Sequence, residues 1–191
     1  MIPLPRPLVL ASTSRYRRAL LERLGLPFEA AAPDYEEEHD LGLSPDELVL
    51  ELARRKAFSL APRFPDALIV GSDQVAELEG EILLKPGTEA RAREQLARLA
   101  GRTHRLLTGL AVHEPATGRT EQVLDVHEMC LRPLTGEQIA DYVARERPLD
   151  CAGAYKIEGV GIALFEALRG EDYTAIIGLP LTRLVGLIGR F

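Results

Sequence analysis

The chain of 191 residues has two cysteines, no tryptophan and no excess of positive charge. Cys130 and Cys151 form no CxxC pair and have no histidine at zinc-site spacing, which excludes a disulfide framework and indicates a reducing compartment. The formal net charge is -6, and the few aromatic residues do not interleave with a basic stripe. Both observations argue against a nucleic-acid partner, so a phosphate-rich ligand would need a local basic cluster.

Long apolar runs are also missing. None approaches the length of a membrane span, and the N-terminal segment Met-Ile-Pro-Leu-Pro-Arg-Pro lacks the apolar core of a signal peptide. We therefore expect a cytoplasmic protein with no membrane partner. Hydrophobic residues make up 46% of the chain, which suits a single domain over 1–191, with two lobes around a cleft as a variant of that plan.

Strand-like and helix-like segments alternate along the chain, with two hairpins among them. This order predicts an α/β fold with a mixed rather than purely parallel sheet. The first strand, beginning at Leu8, precedes the rest. The other predicted strands lie at 28–32, 67–71, 75–78 paired with 81–84, and 105–113 paired with 120–131. Predicted helices begin at Arg15 and end at Leu24 before Gly25, run from Ser44 through about Leu60, follow Thr88 up to Gly101, follow Thr135, and cover 181–191.

The segment Leu8-Val-Leu-Ala-Ser-Thr-Ser-Arg-Tyr-Arg-Arg18 places hydroxyl groups and three arginines where a strand gives way to a helix. Backbone N–H groups at a helix N-terminus and guanidinium groups both favour anions, so the segment is suited to bind a polyphosphate. The same pattern is also the ordinary way in which an α/β domain begins.

Lys56 lies in the middle of the apolar stripe of the helix that Ser44 begins, where Ser44-Pro45-Asp46-Glu47 forms a capping box. An unpaired buried ammonium is costly, so this side chain must either reach out past its apolar neighbours or be held by an anion. The second alternative includes a structural salt bridge as well as a bound ligand.

Other candidate residues follow further along the chain. Asp73 is predicted at the carboxyl end of the strand 67–71, where a carboxylate could orient a metal ion or a water, or simply cap a helix. Pro86 would fix an extended backbone at Lys85 and so aim its ammonium, although an exposed lysine is the simpler interpretation. The glycine-rich segment 151–161, around Lys156 and Glu158, is either flexible enough to approach a ligand or a bulged strand.

The acidic run 34–40 has no EF-hand spacing and lacks the glycine of a calcium loop, so most of it is expected to face solvent. Several cations, a carboxylate after an apolar strand and further acidic residues together match the hydrolysis of a metal-bound polyphosphate. That reaction needs neutralised phosphate charge, a metal and an activated water.

Five motifs in order make the chain resemble the Maf family over nearly its whole length: Leu8-Val-Leu-Ala-Ser-Thr-Ser with Arg17-Arg18, Gly71-Ser-Asp-Gln74, Leu84-Lys-Pro86, Cys151-Ala-Gly-Ala-Tyr155 and Gly178-Leu-Pro-Leu181. The resemblance implies a nucleoside triphosphate pyrophosphatase that cleaves between the α- and β-phosphates with a divalent metal, Mg2+ or Mn2+. It also implies an elongated mixed sheet with flanking helices, similar to the inosine triphosphate pyrophosphatases, and a homodimer.

The resemblance further implies roles for individual residues. Asp73 matches the proton acceptor and, with Glu36, the metal-binding acids. The basic and hydroxyl positions that would face phosphate are Ser12, Arg17, Lys56 and Lys85.

Three positions are associated with specificity in the family. Gln74 resembles the branch that prefers 7-methyl-GTP rather than dTTP and UTP, and Tyr16 and Glu158 match the other two positions. An aromatic ring could stack on the cationic methylated guanine, and a carboxylate could attract its charge. Arg15 is a departure, because family members usually have proline there.

We therefore expect an enzyme that hydrolyses 7-methyl-GTP to 7-methyl-GMP and diphosphate and so removes modified nucleotides. One alternative is a dTTP/UTP pyrophosphatase of the same family. Another is a non-catalytic nucleotide-binding regulator of septum formation, against which the presence of every catalytic position argues.

Overall fold

A computed structural model of the protein describes residues 4–35 and 41–191. Seven strands form one mixed sheet in the order β2-β1-β3-β5-β6-β7, and β4 pairs with β3. The strands are β1 (Leu8–Ala11), β2 (Phe28–Ala31), β3 (Leu68–Leu78), β4 (Glu81–Leu83), β5 (Thr103–Glu114), β6 (Arg119–Leu131) and β7 (Phe165–Arg169). The helices are α1 (Arg15–Glu22), α2 (Pro45–Ser59), α3 (Glu89–Leu99), α4 (Gly136–Glu146), α5 (Tyr173–Ile177) and α6 (Leu181–Ile188), with 3₁₀ turns at Ala152–Ala154 and Val160–Leu164.

The predicted fold class is confirmed, because the sheet contains both kinds of pairing. Strand β1 runs parallel to β2 and to β3, whereas β4 is antiparallel to β3 and β7 is antiparallel to β6. The chain divides into two compact units. The first unit comprises Met1–Asp73, Thr108–Asp125 and Asp172–Phe191, and the second comprises Gln74–Leu107 and Val126–Glu171. The expectation of a single domain stays a prediction.

The core of the first unit follows from strand alternation, which sends successive side chains to opposite faces of the sheet. Leu8, Leu10 and Leu68 pack on one face with residues of α1 and α6. Val9 and Ile69 pack on the other face with residues of α2. The central strands of this unit are therefore apolar on both faces, as strands covered by helices on two sides must be.

The cap signals identified most helix starts correctly. Ser44 and Thr135 both form the predicted capping boxes. In each box the hydroxyl accepts from the backbone N–H of the third helical residue, Glu47 or Gln138, and the side chain of that residue accepts from the N-cap backbone N–H. Thr88 caps α3, and the first hairpin turns at Glu79-Gly80, both with positive φ. Among the described residues, no helix is both long enough and apolar enough to cross a membrane.

Four predictions about elements were wrong. The helix predicted over 181–191 ends at Ile188, before a turn at 189–190. The strand predicted over 67–71 continues through Asp73 to Leu78, so Asp73 lies in the middle of β3 rather than at a carboxyl end or in a helix cap. Helix α1 ends at Glu22, before the predicted Leu24, because residues 23–25 form a turn that closes at Gly25 with φ of 64°. The glycine-rich segment 151–161 is no bulged strand but contains 3₁₀ turns.

Candidate functional site

A buried ion pair joins α2 to β3 in the first unit. The Lys56 ammonium donates to Asp73 Oδ1 at 2.5 Å, and the two residues are 3% and 4% exposed. Alternation along β3 explains the meeting, because Asp73 shares the strand face of Ile69, the face covered by α2. Of the two alternatives given by the sequence, the structure therefore shows Lys56 held by an anion rather than reaching out past its apolar neighbours. That anion is a side chain of the same protein.

Gly71 permits this contact by bringing helix and strand unusually close. A Cβ atom at Gly71 would lie 2.1 Å from the carbonyl oxygen of Ala53 and 2.8 Å from the backbone nitrogen of Ala57. Gly109 on β5 has the same relation to the helix, since a Cβ there would lie 2.2 Å from the Val49 carbonyl oxygen. Neither glycine has positive φ, so their role is close approach rather than an unusual turn.

The second carboxylate oxygen of Asp73 is the most unusual atom of the site. Oδ2 is buried and accepts no hydrogen bond from any residue within 4–35 or 41–191. A buried carboxylate oxygen left without a partner is costly and calls for a specific explanation, of which a ligand or an ion is one. It is therefore a fitting ligand atom for a divalent cation, which in phosphate sites commonly uses one or two carboxylates together with substrate phosphates.

A wider metal cluster is not formed by the described part of the chain, which contains no group of three or more histidine, cysteine, aspartate or glutamate side chains suited to hold an ion. Glu36, the other predicted metal-binding acid, lies outside the described residues. The metal assignments of Glu36 and Asp73 therefore stay predictions.

The carbonyl group of Gly178 connects two candidate segments of the first unit. It accepts a hydrogen bond from Ser72 Oγ at 2.9 Å and another from Arg17 Nε at 2.9 Å. Ser72 Oγ also lies 2.9 Å from the Gly109 carbonyl oxygen. The residue before Asp73 and the predicted phosphate-binding Arg17 are consequently fixed to the same backbone group, and Gly178 itself has φ of 119°.

The turn that leads into α1 is ordered by its own hydroxyl groups. Ser14 is the N-cap, with Oγ accepting from the Arg17 backbone N–H, and Ser12 Oγ accepts from the Ser14 N–H at 3.1 Å. Ser12 is buried. The Arg15 guanidinium lies 4.7 Å from the centre of the Tyr16 ring and donates to the Tyr16 hydroxyl at 2.7 Å. Tyr16 therefore already interacts with a cation.

The second unit contains the remaining predicted residues. Gln74 is half-buried on β3, and Lys85 is exposed just after β4. Two contacts of neighbouring residues fix the Lys85 backbone, since Gln95 of α3 donates to the Leu84 carbonyl at 2.8 Å and the Gly87 N–H donates to Leu149. Lys85 is therefore exposed, as the simpler interpretation of the sequence has it, and the aiming of its ammonium by Pro86 stays a prediction.

Glu158 is exposed in the turn between the two 3₁₀ segments of this unit. The turn is anchored rather than loose. Tyr142 of α4 accepts a hydrogen bond from the Lys156 N–H at 3.0 Å, and the Lys156 ammonium donates to the Glu146 carbonyl. The sequence analysis missed these contacts, although a tyrosine on the buried face of a helix signals a hydroxyl that needs a partner.

A second buried polar pair was also missed. His104 Nε2 lies 2.8 Å from the Tyr155 hydroxyl, and the Tyr155 ring meets Phe165 edge-on at 4.9 Å. Burial lowers the pKa of His104 to about 4 and raises the pKa of Tyr155 well above its usual value. Both groups are therefore neutral at physiological pH. Burial similarly raises the pKa of the nearby Cys151 thiol to about 12, so this thiol is not a nucleophile.

Comparison with known proteins places the chain in a family. The family model described as Maf-like protein matches residues 7–191, and the chain belongs to this family. A relative from Syntrophotalea carbinolica named 7-methyl-GTP pyrophosphatase is 48% identical over 185 residues, covering 96% of this chain and 94% of its own. Proteins of the same name from Pseudomonas aeruginosa and Pseudomonas putida are 49% and 50% identical, covering 95% and 96% of this chain and 94% and 96% of theirs.

Proposed function

We propose that this protein is a nucleoside triphosphate pyrophosphatase that hydrolyses 7-methyl-GTP to 7-methyl-GMP and diphosphate. The substrate assignment is supported by full-length relatives that carry this name at close to half identity. The chemical assignment depends on one structural observation, the buried pair of Lys56 and Asp73 with a carboxylate oxygen that no described residue binds. By removing the modified nucleotide, the enzyme would keep it out of nucleic acid.

Asp73 is the proton acceptor of the proposed reaction. One water is consumed: its oxygen forms a bond to the α-phosphorus, and its proton passes to the carboxylate. The bond from the α-phosphorus to the oxygen that bridges to the β-phosphate breaks, and diphosphate leaves with the electron pair of that bond. Lys56 holds Oδ1 and so restricts the direction in which Oδ2 points. Its ammonium also compensates a negative charge that burial alone would make unfavourable.

A divalent cation, Mg2+ or Mn2+, would be held by one lone pair of Asp73 Oδ2 and by Glu36, the second proposed acid. The other lone pair of Oδ2 would then accept the water proton. Such an ion would withdraw charge from the phosphates and favour ionisation of a bound water. The chain's own contribution is to keep the carboxylate buried in a fixed rotamer between α2 and β3, so that binding of the ion requires little rearrangement.

Phosphate binding is assigned to Ser12, Arg17, Lys56 and Lys85. The order of the turn supports the assignment of Ser12 and Arg17, because Ser12, Ser14 and Gly178 restrain the backbone and the guanidinium before a ligand arrives. Pre-ordering lowers the entropy that ligand binding must overcome.

Base selection is assigned to Tyr16, Gln74 and Glu158. The choice of Tyr16 is supported by the Arg15 guanidinium over its ring, because a ring face that attracts a guanidinium also attracts a cationic 7-methylguanine once the guanidinium has moved aside. Glu158 adds an exposed carboxylate that attracts a positive base and has no comparable effect on a neutral one.

A substrate panel tests the proposal. We expect diphosphate release from 7-methyl-GTP in the presence of Mg2+ or Mn2+, slower release from GTP, dTTP, UTP and CTP, and none after chelation of the metal. Preference for dTTP or UTP would overturn the assignment of 7-methyl-GTP as the substrate and leave the proposed hydrolysis of the α-β phosphate bond in place. Metal-dependent binding of nucleotide without release of diphosphate would reject the enzyme and favour a nucleotide sensor.

A further inference from the structure

We propose that Tyr142 and Lys156 form a latch that positions Glu158 and thereby sets discrimination between the methylated, cationic guanine and the neutral one. Glu158 itself was assigned above, so this inference rests on the proposed function. The new element is the positioning role of two residues that need not touch the substrate.

The latch begins at α4. Tyr142 is 4% exposed, and its hydroxyl accepts the backbone N–H of Lys156, two residues before Glu158. Burial raises the pKa of the Tyr142 phenol, so the group remains neutral across the physiological range. A buried hydroxyl with a backbone partner fixes one end of the turn without introducing charge.

The second contact attaches the same turn to the end of the helix. The Lys156 ammonium donates to the backbone carbonyl of Glu146, the last residue of α4. Helix C-terminal carbonyls lack intrahelical partners and carry partial negative charge, so a lysine there satisfies a carbonyl and interacts favourably with the helix dipole. Lys156 therefore holds the turn through its backbone at Tyr142 and through its side chain at Glu146.

Two glycines close the turn on its far side. A Cβ atom at Gly161 would lie 1.9 Å from the Lys156 carbonyl oxygen and 2.8 Å from the Tyr142 hydroxyl. A Cβ at Gly159 would lie 2.9 Å from the Glu146 carboxylate. The segment from Lys156 to Gly161 thus folds tightly back on itself and on α4, with Glu158 projecting from its exposed middle. This packing opposes the expectation that the glycines make the segment flexible.

Discrimination depends on where that carboxylate sits. GTP and 7-methyl-GTP differ by one methyl group and carry the same triphosphate, so a selective contact must act on the base and its charge. The Coulomb term weakens with distance and with solvent screening. An exposed carboxylate on a mobile turn would spend much of its time far from the base. Anchoring the turn at Lys156 and Gly161 therefore increases selectivity without altering the chemistry of hydrolysis.

The test compares the ratio of kcat/KM for 7-methyl-GTP to kcat/KM for GTP in four variants. Glu158→Gln removes the negative charge of the carboxylate. Tyr142→Phe removes the hydroxyl that accepts the Lys156 backbone N–H, and Lys156→Met removes the ammonium. Thr135→Ala is the matched control, because it weakens the opposite end of α4 by loss of the N-cap and leaves the latch intact. We expect Tyr142→Phe and Lys156→Met each to lower the ratio about threefold to tenfold. In these two variants the change should appear as a higher KM for 7-methyl-GTP, with kcat close to wild type. The ratio of kcat/KM for 7-methyl-GTP to kcat/KM for GTP should stay close to wild type in Thr135→Ala.

Additional measurements separate the latch from the substrate assignment. Hydrogen exchange of the amides between Lys156 and Gly161 should become faster in Tyr142→Phe whatever the substrate proves to be. The double variant with Glu158→Gln should show little further loss, because both changes act through one carboxylate. Unchanged exchange, or a ratio lowered by Glu158→Gln but not by Tyr142→Phe and Lys156→Met, would overturn the latch alone. Wild-type protein that does not prefer 7-methyl-GTP would overturn the proposed substrate, even where exchange shows the latch contacts.

Discussion

Two buried polar pairs, one in each unit, have opposite electrostatic character. Lys56 and Asp73 in the first unit are oppositely charged groups in contact, whereas His104 and Tyr155 in the second are neutral partners. All four residues are less than 5% exposed. Burial alone therefore does not decide whether a polar pair carries charge. The decisive difference is the partner, because an ammonium and a carboxylate compensate one another while a lone imidazolium would have no counter-charge in its hydroxyl neighbour.

The two pairs also differ in the role that their contacts suggest, catalytic for Lys56 and Asp73 and structural for His104 and Tyr155. Asp73 keeps a buried oxygen that no described residue satisfies, so the charged pair retains an acceptor that a ligand or an ion can use. The His104–Tyr155 pair instead joins β5 to the end of the first 3₁₀ turn and lies against Phe165. We infer that loss of the first pair affects turnover most, and loss of the second affects stability most.

The largest effect is expected for Asp73→Asn. The amide preserves the shape but accepts no proton, so kcat should fall by about a hundredfold or more. The uncompensated Lys56 should also lower the free energy of unfolding by about 3 kcal/mol. Steady-state kinetics with saturating metal and nucleotide, together with urea unfolding, measure both effects.

A second buried aspartate provides the control for that variant. Asp172 is 3% exposed and accepts hydrogen bonds from Thr174 and Thr182, which makes its role structural. Asp172→Asn should lower stability by about 1 kcal/mol and leave kcat near wild type well below the melting temperature. Full turnover by Asp73→Asn would remove Asp73 from the mechanism.

The neutral pair should respond to acid. Because the folded pKa of His104 is depressed from 6.5 to about 4, the unfolded chain binds more protons between these values, and stability falls as pH drops through that window. The loss from this group reaches up to about 3 kcal/mol. His104→Gln keeps a partner for Tyr155 without titrating, so its urea unfolding should lose less stability between pH 7 and pH 4.5. Equal losses in wild type and variant would show that His104 does not titrate in this way.

The sequence predicted one member of the charged pair and misplaced the other. Lys56 stood out because a cation in an apolar helical stripe violates the binary pattern, which requires only local information. Asp73 was placed at a strand end because Ser72, Asp73 and Gln74 interrupt an apolar run. The strand continues since groups distant in sequence bind Ser72 and one oxygen of Asp73. The carbonyl of Gly178, 106 residues away, accepts from Ser72, and Lys56 donates to Asp73 Oδ1. Such partners depend on tertiary contacts, so the sequence around Asp73 contains no pattern that predicts them.

The same reasoning explains what could be predicted elsewhere. Caps and hairpin turns were identified correctly because their hydrogen bonds span three or four residues, as at Ser44 and Thr135. The Lys156 turn was misread as flexible because its anchors belong to α4, up to fourteen residues earlier. Glycines at positions 159 and 161 indicate close packing here, and only the structure distinguishes that role from freedom of the backbone.

The smallest expected effect concerns a third cation, the exposed guanidinium of Arg15. The Arg15 guanidinium covers the Tyr16 ring and would repel a cationic base that approaches the same ring. Arg15→Ala should raise the ratio of kcat/KM for 7-methyl-GTP over GTP by about twofold to fivefold. Any lost attraction to the triphosphate cancels, because both substrates carry it. Arg18→Ala removes the same charge from an exposed pair with Glu22 on the same helix and should leave the ratio unchanged. A ratio that falls in Arg15→Ala would instead mean that the guanidinium holds Tyr16 in the orientation that binds the methylated base.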